Sequence, residues 1–133
     1  MGNYDDNRII KTTVKKLNAL DDERYAYMIA DVMMHRMYEG AVAPTPFEGE
    51  KIASYTDSKG RKWIPLFTDI EEFNKGESTS EFKDISMLDI LKEGLENPDL
   101  KGVIINPYGE SRKLEKGTLE MTFMVYKKEF TKD

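Results

Sequence analysis

The stretch that decides the fold is IASYTDSKGRKWIPLF, residues 52–67. Two runs rich in strand-forming residues, 52–56 and 61–67, lie on either side of the polar sequence DSKG at 57–60. A four-residue connection that ends in glycine is typical of a type I turn closed by a residue in the left-handed conformation. The sequence therefore predicts a β-hairpin here.

The second strand of this hairpin is apolar on both faces. Alternation places Trp63, Pro65 and Phe67 on one side and Ile64 and Leu66 on the other. This pattern predicts either a central strand that is covered on both faces or a strand that keeps one face for a partner.

Helices are predicted before the hairpin. Apolar residues recur at helical spacing between residues 5 and 20, and a second helix, capped by Asp21 and stopped by Gly40, is predicted to reach about residue 38. The apolar stripe of this second helix consists of Tyr25, Met28, Ile29, Val32, Met33 and Met37. Met34 lies off the stripe and is predicted to be exposed. The N-terminal region therefore predicts a helical hairpin.

The segments next to the β-hairpin have patterns of their own. Pro44 and Pro46 forbid a helix, so residues 41–48 are predicted to form an extended edge strand. After the hairpin, Thr68 and Glu71 fit a capping box for a short helix, and a polar loop is predicted at residues 75–80.

The remaining chain continues this mixture of strands and helices. A short strand at 82–85 precedes a helix that Ser86 caps and that ends before Pro98. The apolar run GVIIN at 102–106 predicts a central strand. For the tail at 115–130 both a helix and a strand remain open, because apolar residues recur at helical spacing while several residues favour strands; a helix is the preferred prediction. The prediction is one α+β domain over residues 1–133, an N-terminal helical hairpin followed by a mixed β-sheet with helices packed on it.

Composition excludes several classes of function. The chain has 133 residues, no cysteine, and 20 basic against 25 acidic side chains, which gives a net charge of −5. Without cysteine there is no disulfide framework and no thiolate site, which fits a cytoplasmic protein. The basic residues are scattered, so nucleic acid is not an expected partner. No signal peptide or membrane-spanning run is recognisable, and no membrane association is expected.

Motifs that carry chemistry are missing from the sequence. His35 is the single histidine, and no second ligand stands at metal-binding or triad spacing from it, so we interpret it as an exposed or structural helix residue. The clustered carboxylates are explained by helix capping. No phosphate-binding loop or nucleophile elbow occurs. We therefore predict no catalytic residues, no metal and no cofactor.

Two blocks of sequence resemble a known family. Residues 63–69, WIPLFTD, and residues 102–107, GVIINP, resemble in order and spacing the two blocks of the SseB N-terminal domain family, whose members carry the label enhanced serine sensitivity. The resemblance covers about residues 21–130. It implies an α+β fold with a mixed sheet and helices packed on it. It implies no established catalytic residues.

Two functions remain open at this point. The leading hypothesis is a non-catalytic protein-interaction or regulatory module that binds an unidentified protein partner. The alternative is a small-molecule binding protein or cryptic enzyme linked to amino-acid metabolism, as the family label suggests. The candidate binding surface consists of Tyr55, Trp63, Pro65, Phe67, Asn106, Pro107 and Tyr108. A possible homo-oligomer would form through apolar residues of the C-terminal segment, which are Met121, Phe123, Met124, Val125 and Tyr126.

Overall fold

The computed structural model of the protein describes residues 4–20, 22–25, 27–76 and 81–130. The helices are α1 (Arg8–Leu20), α2 (Tyr27–Tyr38), α3 (Ile70–Asn74), α4 (Met87–Glu96) and α5 (Lys116–Phe130), with short 3-10 turns at Asp5–Asn7 and Glu23–Tyr25. The strands are β1 (Val42–Glu48), β2 (Lys51–Ile52), β3 (Tyr55–Thr56), β4 (Lys62–Leu66), β5 (Phe82–Ser86), β6 (Gly102–Ile105) and β7 (Arg112–Glu115). The predicted N-cap Asp21 and most of the predicted loop, residues 77–80, lie outside the described residues.

The strands form two sheets. One is antiparallel and has the order β2-β1-β5. The other has the order β3-β4-β6-β7 and is mixed, because β4 and β6 are parallel and the remaining pairs are antiparallel. The prediction of an α+β fold, with a helical hairpin followed by a mixed sheet and packed helices, is confirmed.

The main core lies between the mixed sheet and the helices. Ile64 and Leu66 of β4 belong to one buried cluster together with residues of α1, α2, α4 and α5. Trp63 and Phe67 are also buried, at 1% and 3% exposure, but alternation places them on the opposite face of β4. The four residues of β6 are all buried. Both strands are therefore buried on two faces, which was the prediction for β6 and one of the two alternatives for β4.

The turn of the β-hairpin is confirmed. The amide of Gly60 donates to the carbonyl oxygen of Asp57 at 3.0 Å, and Gly60 has a φ of +80°. The predicted first strand, in contrast, is divided. Ile52 pairs with β1, whereas Tyr55 and Thr56 pair with β4. The chain thus passes from one sheet to the other between residues 52 and 55.

The prediction of an edge position for the proline-containing strand is wrong, because β1 is the middle strand of its sheet. The amide of Phe47 donates to Glu81 on the β5 side at 3.3 Å, so alternation points the nitrogens of Pro44 and Pro46 away from β5. On that other side β2 pairs only with the last two residues of β1. The prolines therefore remove no donor that the sheet requires.

Two predictions about the second helix are also wrong. Met34 is only 5% exposed, because α5 lies beside it and contributes Met121, Thr122 and Val125 to the same small cavity. Tyr25 is 39% exposed and belongs to the 3-10 turn before α2, so it does not continue the apolar stripe.

The predicted N-cap of α4 is confirmed, whereas the predicted N-cap of α3 is wrong. The Ser86 hydroxyl accepts from the Asp89 amide at 3.1 Å and caps α4, as predicted. For α3 the N-cap is Asp69, which accepts from the Glu72 amide at 2.9 Å, so the predicted capping box at Thr68 is wrong. The Thr68 hydroxyl is buried and instead accepts from Asn106 Nδ2 at 3.1 Å.

The C-terminal segment is helical, as predicted, and forms α5. Met121, Met124 and Val125 are 46%, 72% and 37% exposed on it. Self-association through this segment stays a prediction. Within the described residues, no helix combines the length and the apolar character that crossing a bilayer requires.

Candidate functional site

A groove of about 580 Å³ lies on the face of the mixed sheet opposite the main core. We call it the aromatic groove. Its lining comes from β1, from β3 and the segment before it, from β4 and α3 with the residues that follow each of them, and from the turn after β6. The lining residues are Pro46, Ala53, Ser54, Tyr55, Pro65, Phe67, Phe73, Lys75, Gly76 and Tyr108.

Four rings build the floor and the walls of the aromatic groove. Phe67 and Phe73 are 3% and 6% exposed and meet edge to face, with centroids 5.3 Å apart. Tyr108 is 50% exposed and stacks on Phe67 at 6.0 Å, with an interplanar angle of 17°. Tyr55 meets Tyr108 edge to face at 5.7 Å. An exposed tyrosine, Tyr108, and a half-buried one, Tyr55, therefore stand over a buried phenylalanine floor, in the geometries that aromatic pairs prefer.

The parallel pair of strands positions Tyr108 beside Phe67. Since β4 and β6 run in the same direction, their carboxyl ends meet at one edge of the sheet, where sites are often found in α/β proteins. The Asn106 amide donates to the Leu66 carbonyl oxygen at 2.9 Å and continues the ladder. Asn106 then has a φ of +46°, and the Gly109 amide donates back to its carbonyl oxygen at 3.0 Å. This tight turn directs Tyr108 over the groove.

The predicted surface residues divide between the groove and the interior. Tyr55, Pro65, Phe67 and Tyr108 all line the aromatic groove. Pro107 is half-buried and precedes Tyr108 in the turn.

Asn106 has a structural position instead. It is 2% exposed, and its Oδ1 accepts from the Thr68 amide at 3.0 Å, which ties the ends of β4 and β6 together. It also contributes to a second cavity, described below.

Trp63 must be removed from the candidate surface, because it is only 1% exposed. Its Nε1 donates to Asp57 Oδ2 at 3.0 Å. The Arg61 guanidinium and the Lys113 ammonium lie 5.7 Å and 5.2 Å from the centre of its ring, within the range of cation–π contacts. The indole is therefore covered by charged side chains, and a partner has no access to it.

The carboxylate of Asp57 accepts hydrogen bonds from Trp63 and from both of the cations beside its ring, Arg61 and Lys113. Desolvation alone would raise its pKa, but hydrogen bonds from Trp63 Nε1, the Arg61 amide, Lys113 and the Lys59 amide outweigh that effect. The pKa of Asp57 therefore lies well below its ordinary value of 3.8. The charged carboxylate is the form that the folded state stabilises.

This pKa predicts how stability changes in acid. A depressed folded-state pKa gives stability that is fully present above pH 4 and is lost as the pH falls below about 3.8 towards the folded value. We expect Asp57→Asn to be less stable than the wild type at pH 7 and the difference to shrink below pH 4. Urea unfolding followed by the fluorescence of Trp63, the single tryptophan, measures both.

A matched variant checks the cause. Lys113→Met removes one donor to Asp57 and should weaken the acid dependence only in part, because four other donors remain, two of them from Arg61. A stability difference between the wild type and Asp57→Asn that stays constant from pH 7 to pH 2.5 would contradict the assignment.

Several groove residues were not predicted. Phe73, Lys75 and Gly76 come from α3 and its end, and Pro46 comes from β1. Gly76 permits the close approach of Tyr108, because a Cβ built on it would overlap the tyrosine ring. Phe73 was identifiable from the sequence as an apolar helix residue. Nothing local indicated that it would meet Phe67 and Tyr108.

A second cavity, of about 300 Å³, lies between α1, α3 and the turn after β6. We call it the polar cavity. Its lining residues are Lys11, Thr12, Lys15, Glu71, Glu72, Lys75, Asn106 and Glu110. Lys75 belongs to the lining of both sites, so the polar cavity and the aromatic groove are neighbours.

Metal-binding geometry is not found among the residues that the structure describes: they contain no group of three or more His, Cys, Asp or Glu side chains able to hold an ion. His35 is exposed on α2, and its Nε2 lies 3.7 Å from Asp31 Oδ1. The aromatic groove can bind by stacking and apolar contact. The polar cavity can bind by charge.

Comparison of the chain with protein-family models, curated proteins and solved structures finds no match in any of the three. The resemblance to the SseB N-terminal domain family therefore stays a prediction.

Proposed function

We propose that the protein is a non-catalytic interaction module that holds a short, proline-containing segment of a partner protein in the aromatic groove. The observation that carries this proposal is the pair of tyrosines, exposed Tyr108 and half-buried Tyr55, above the buried rings of Phe67 and Phe73. Grooves lined by aromatic rings bind extended proline-rich segments, whose rigid backbone loses little entropy on binding.

The charge of the groove supports an apolar ligand. Lys75 is the one charged residue in the described lining, and its Nζ already pairs with Glu72 Oε2 at 2.7 Å. The groove therefore offers little net charge to a ligand. Its volume of about 580 Å³ lies within the usual range for ligand sites, which are mainly apolar with a few polar groups.

The same lining supports binding over catalysis. The described lining residues include the hydroxyl of Ser54 but no histidine, aspartate or glutamate that could take its proton. A serine nucleophile needs an adjacent base. We also propose a cytoplasmic location and membership of the SseB N-terminal domain family. The cysteine-free composition supports the location, and the blocks at 63–69 and 102–107 support the family.

The test begins with peptides selected from a random library on the immobilised wild type. Tyr108→Ala removes one wall of the groove, so we expect it to raise the Kd of the selected peptides at least about tenfold, as is usual for an aromatic hot spot. Fluorescence polarisation measures the Kd. Tyr27→Ala is the control. It truncates a tyrosine that is 59% exposed on α2 and outside the groove, and it should leave affinity unchanged.

The peptides themselves provide the second half of the test. The selected sequences should contain proline, and replacing that proline with alanine should weaken binding as strongly as Tyr108→Ala does. Equal losses for Tyr108→Ala and Tyr27→Ala, or selected peptides that bind as well without proline, would reject the proposal.

A further inference from the structure

The polar cavity contains a buried carboxylate whose hydrogen bonding is incomplete. The Glu72 side chain is 4% exposed. Its Oε2 accepts from Lys75 Nζ at 2.7 Å and lies 3.1 Å from Lys11 Nζ. Its Oε1 is buried and has no hydrogen-bond partner among the described residues. Leaving such an oxygen unpaired is costly, and native structures rarely do so without a reason.

Positive charge also converges on the cavity. Lys11 bridges to Asp69 and Glu72, and these hydrogen bonds raise its pKa although partial burial alone would lower it. Lys15 lies one helical turn further along α1 and has no salt-bridge partner among the described residues. Two of the side chains that line this small space, Glu72 and Lys15, thus carry an unpaired acceptor and an unpaired cation.

We propose that the polar cavity binds a small zwitterion, with the ligand's ammonium group donating to Glu72 Oε1 and its carboxylate paired with Lys15. This site adjoins the aromatic groove through Lys75 but does not depend on the function proposed for the groove.

The balance of charges selects this class of ligand. Three lysines and three glutamates line the cavity, so an anion would meet the glutamates and a simple cation would meet the lysines. A zwitterion places each of its charges beside the opposite sign. Charge-assisted hydrogen bonds of this kind are stronger than neutral ones. A metal ion would need further oxygen ligands, and Glu72 Oε2 is already engaged by two lysines.

Gly109 controls access to the unpaired oxygen. A Cβ built on Gly109 would overlap Glu72 Oε1 and lie 3.1 Å from Lys75 Nζ, so the backbone of this residue covers the carboxylate. Its neighbour Glu110 lines the cavity. The proposed contact therefore requires a small outward movement of this turn, which would open Oε1 to a ligand in the cavity.

The experiment is isothermal titration calorimetry with a series of linear ω-amino acids from glycine to 6-aminohexanoate. The series varies the separation of the two charges. We expect at least one member to bind with a Kd between about 10 µM and 1 mM, which is reasonable for so few atoms. The carboxylic acid and the amine of the same chain length should bind at least about tenfold more weakly, because each makes only one of the two charge-assisted contacts.

The variants test the two contacts separately. Glu72→Gln and Lys15→Met should each raise the Kd of the zwitterion by about tenfold or more. Lys16→Met, at an exposed position outside the cavity lining, should not change its affinity. Trp63 fluorescence checks the fold of every variant. If Glu72→Gln does not fold, the affinity of Lys15→Met alone tests the proposal, because Lys15 is exposed and its replacement should not disturb the fold. The proposal is overturned if no zwitterion gives heat at about 10 mM, if a single-charge analogue binds equally well, or if Lys15→Met binds like the wild type.

Discussion

Replacing Gly102 with alanine is expected to lower the free energy of unfolding by at least about 3 kcal/mol, because the backbone and the packing both exclude a side chain there. Gly102 has a φ of +149°, a region that residues with a Cβ rarely adopt. A Cβ at this position would overlap the carbonyl oxygen of Leu114 and lie 3.2 Å from the Cα of Glu115.

The surroundings of Gly102 cannot move easily to relieve this overlap. The atoms in the way are backbone atoms of β7, which pairs with Gly102 and the three residues after it. On the other side, the amide of Lys101 donates to the Lys62 carbonyl oxygen of β4 at 2.8 Å. Any displacement of the strand therefore disturbs the centre of the mixed sheet.

Urea unfolding with Trp63 fluorescence measures the effect of Gly102→Ala, and Gly117→Ala is its matched control. Gly117 lies in α5, and a Cβ added there meets nothing within 4 Å. Alanine is favoured over glycine in helices by up to about 1 kcal/mol, so the control should be neutral or slightly stabilising. Two variants of similar stability would show that the constraint at Gly102 does not exist.

The correct predictions rest on local rules. The turn at 57–60, the Ser86 cap and the buried strand at 102–105 depend on residues close in sequence, whose spacing and chemistry are sufficient to define them. The helical hairpin likewise follows from apolar periodicity. For these elements the tertiary structure agrees with the local preference.

Unlike the local errors at Tyr25 and at the Thr68 cap, three of the wrong predictions concern contacts between distant segments. β1 is the middle strand of its sheet because β5 pairs with it, and β5 comes after the hairpin in the chain. The burial of Met34 depends on α5, which lies more than 80 residues further along the chain. The burial of Trp63 depends on Lys113 from β7. No periodicity within a single element contains this information.

The candidate site was predictable to the same limited extent. Tyr55, Phe67 and Tyr108 could be predicted from the sequence, because they lie beside or at the end of the recognisable strands β4 and β6. Phe73 and Lys75 join them only through the position of α3. The polar cavity was not predicted at all, since burial of Glu72 at the start of a short helix contradicts the usual exposed position of capping acids.

Replacing Asn7 with alanine is expected to lower the free energy of unfolding by about 3 kcal/mol, because the buried amide joins three segments. Asn7 is 1% exposed. Its Nδ2 donates to the carbonyl oxygens of Val42 at 3.0 Å and Thr68 at 3.1 Å. Its Oδ1 accepts from Arg36 Nε at 3.2 Å and from Nη2 at 3.1 Å. The side chain thus uses all of its hydrogen-bonding groups.

The largest part of the loss comes from Arg36. Arg36 is 7% exposed, and without Asn7 its guanidinium keeps Glu39 Oε1, at 2.9 Å from Nη1, as an acceptor. A buried charge that loses an acceptor costs more than the bond itself contributes, since the group remains desolvated. Two carbonyl oxygens, of Val42 and Thr68, lose a donor at the same time.

Asn74→Ala is the control for Asn7→Ala, because it makes the same chemical change at an exposed position at the end of α3. It should alter stability by no more than about 0.5 kcal/mol. Urea midpoints at pH 7, with the slopes of the transitions compared to verify two-state behaviour, give both values. If Asn7→Ala costs less than about 1 kcal/mol more than the control, the Arg36–Asn7 pair does not hold α2 against β1 and β4, and helix packing alone must position them.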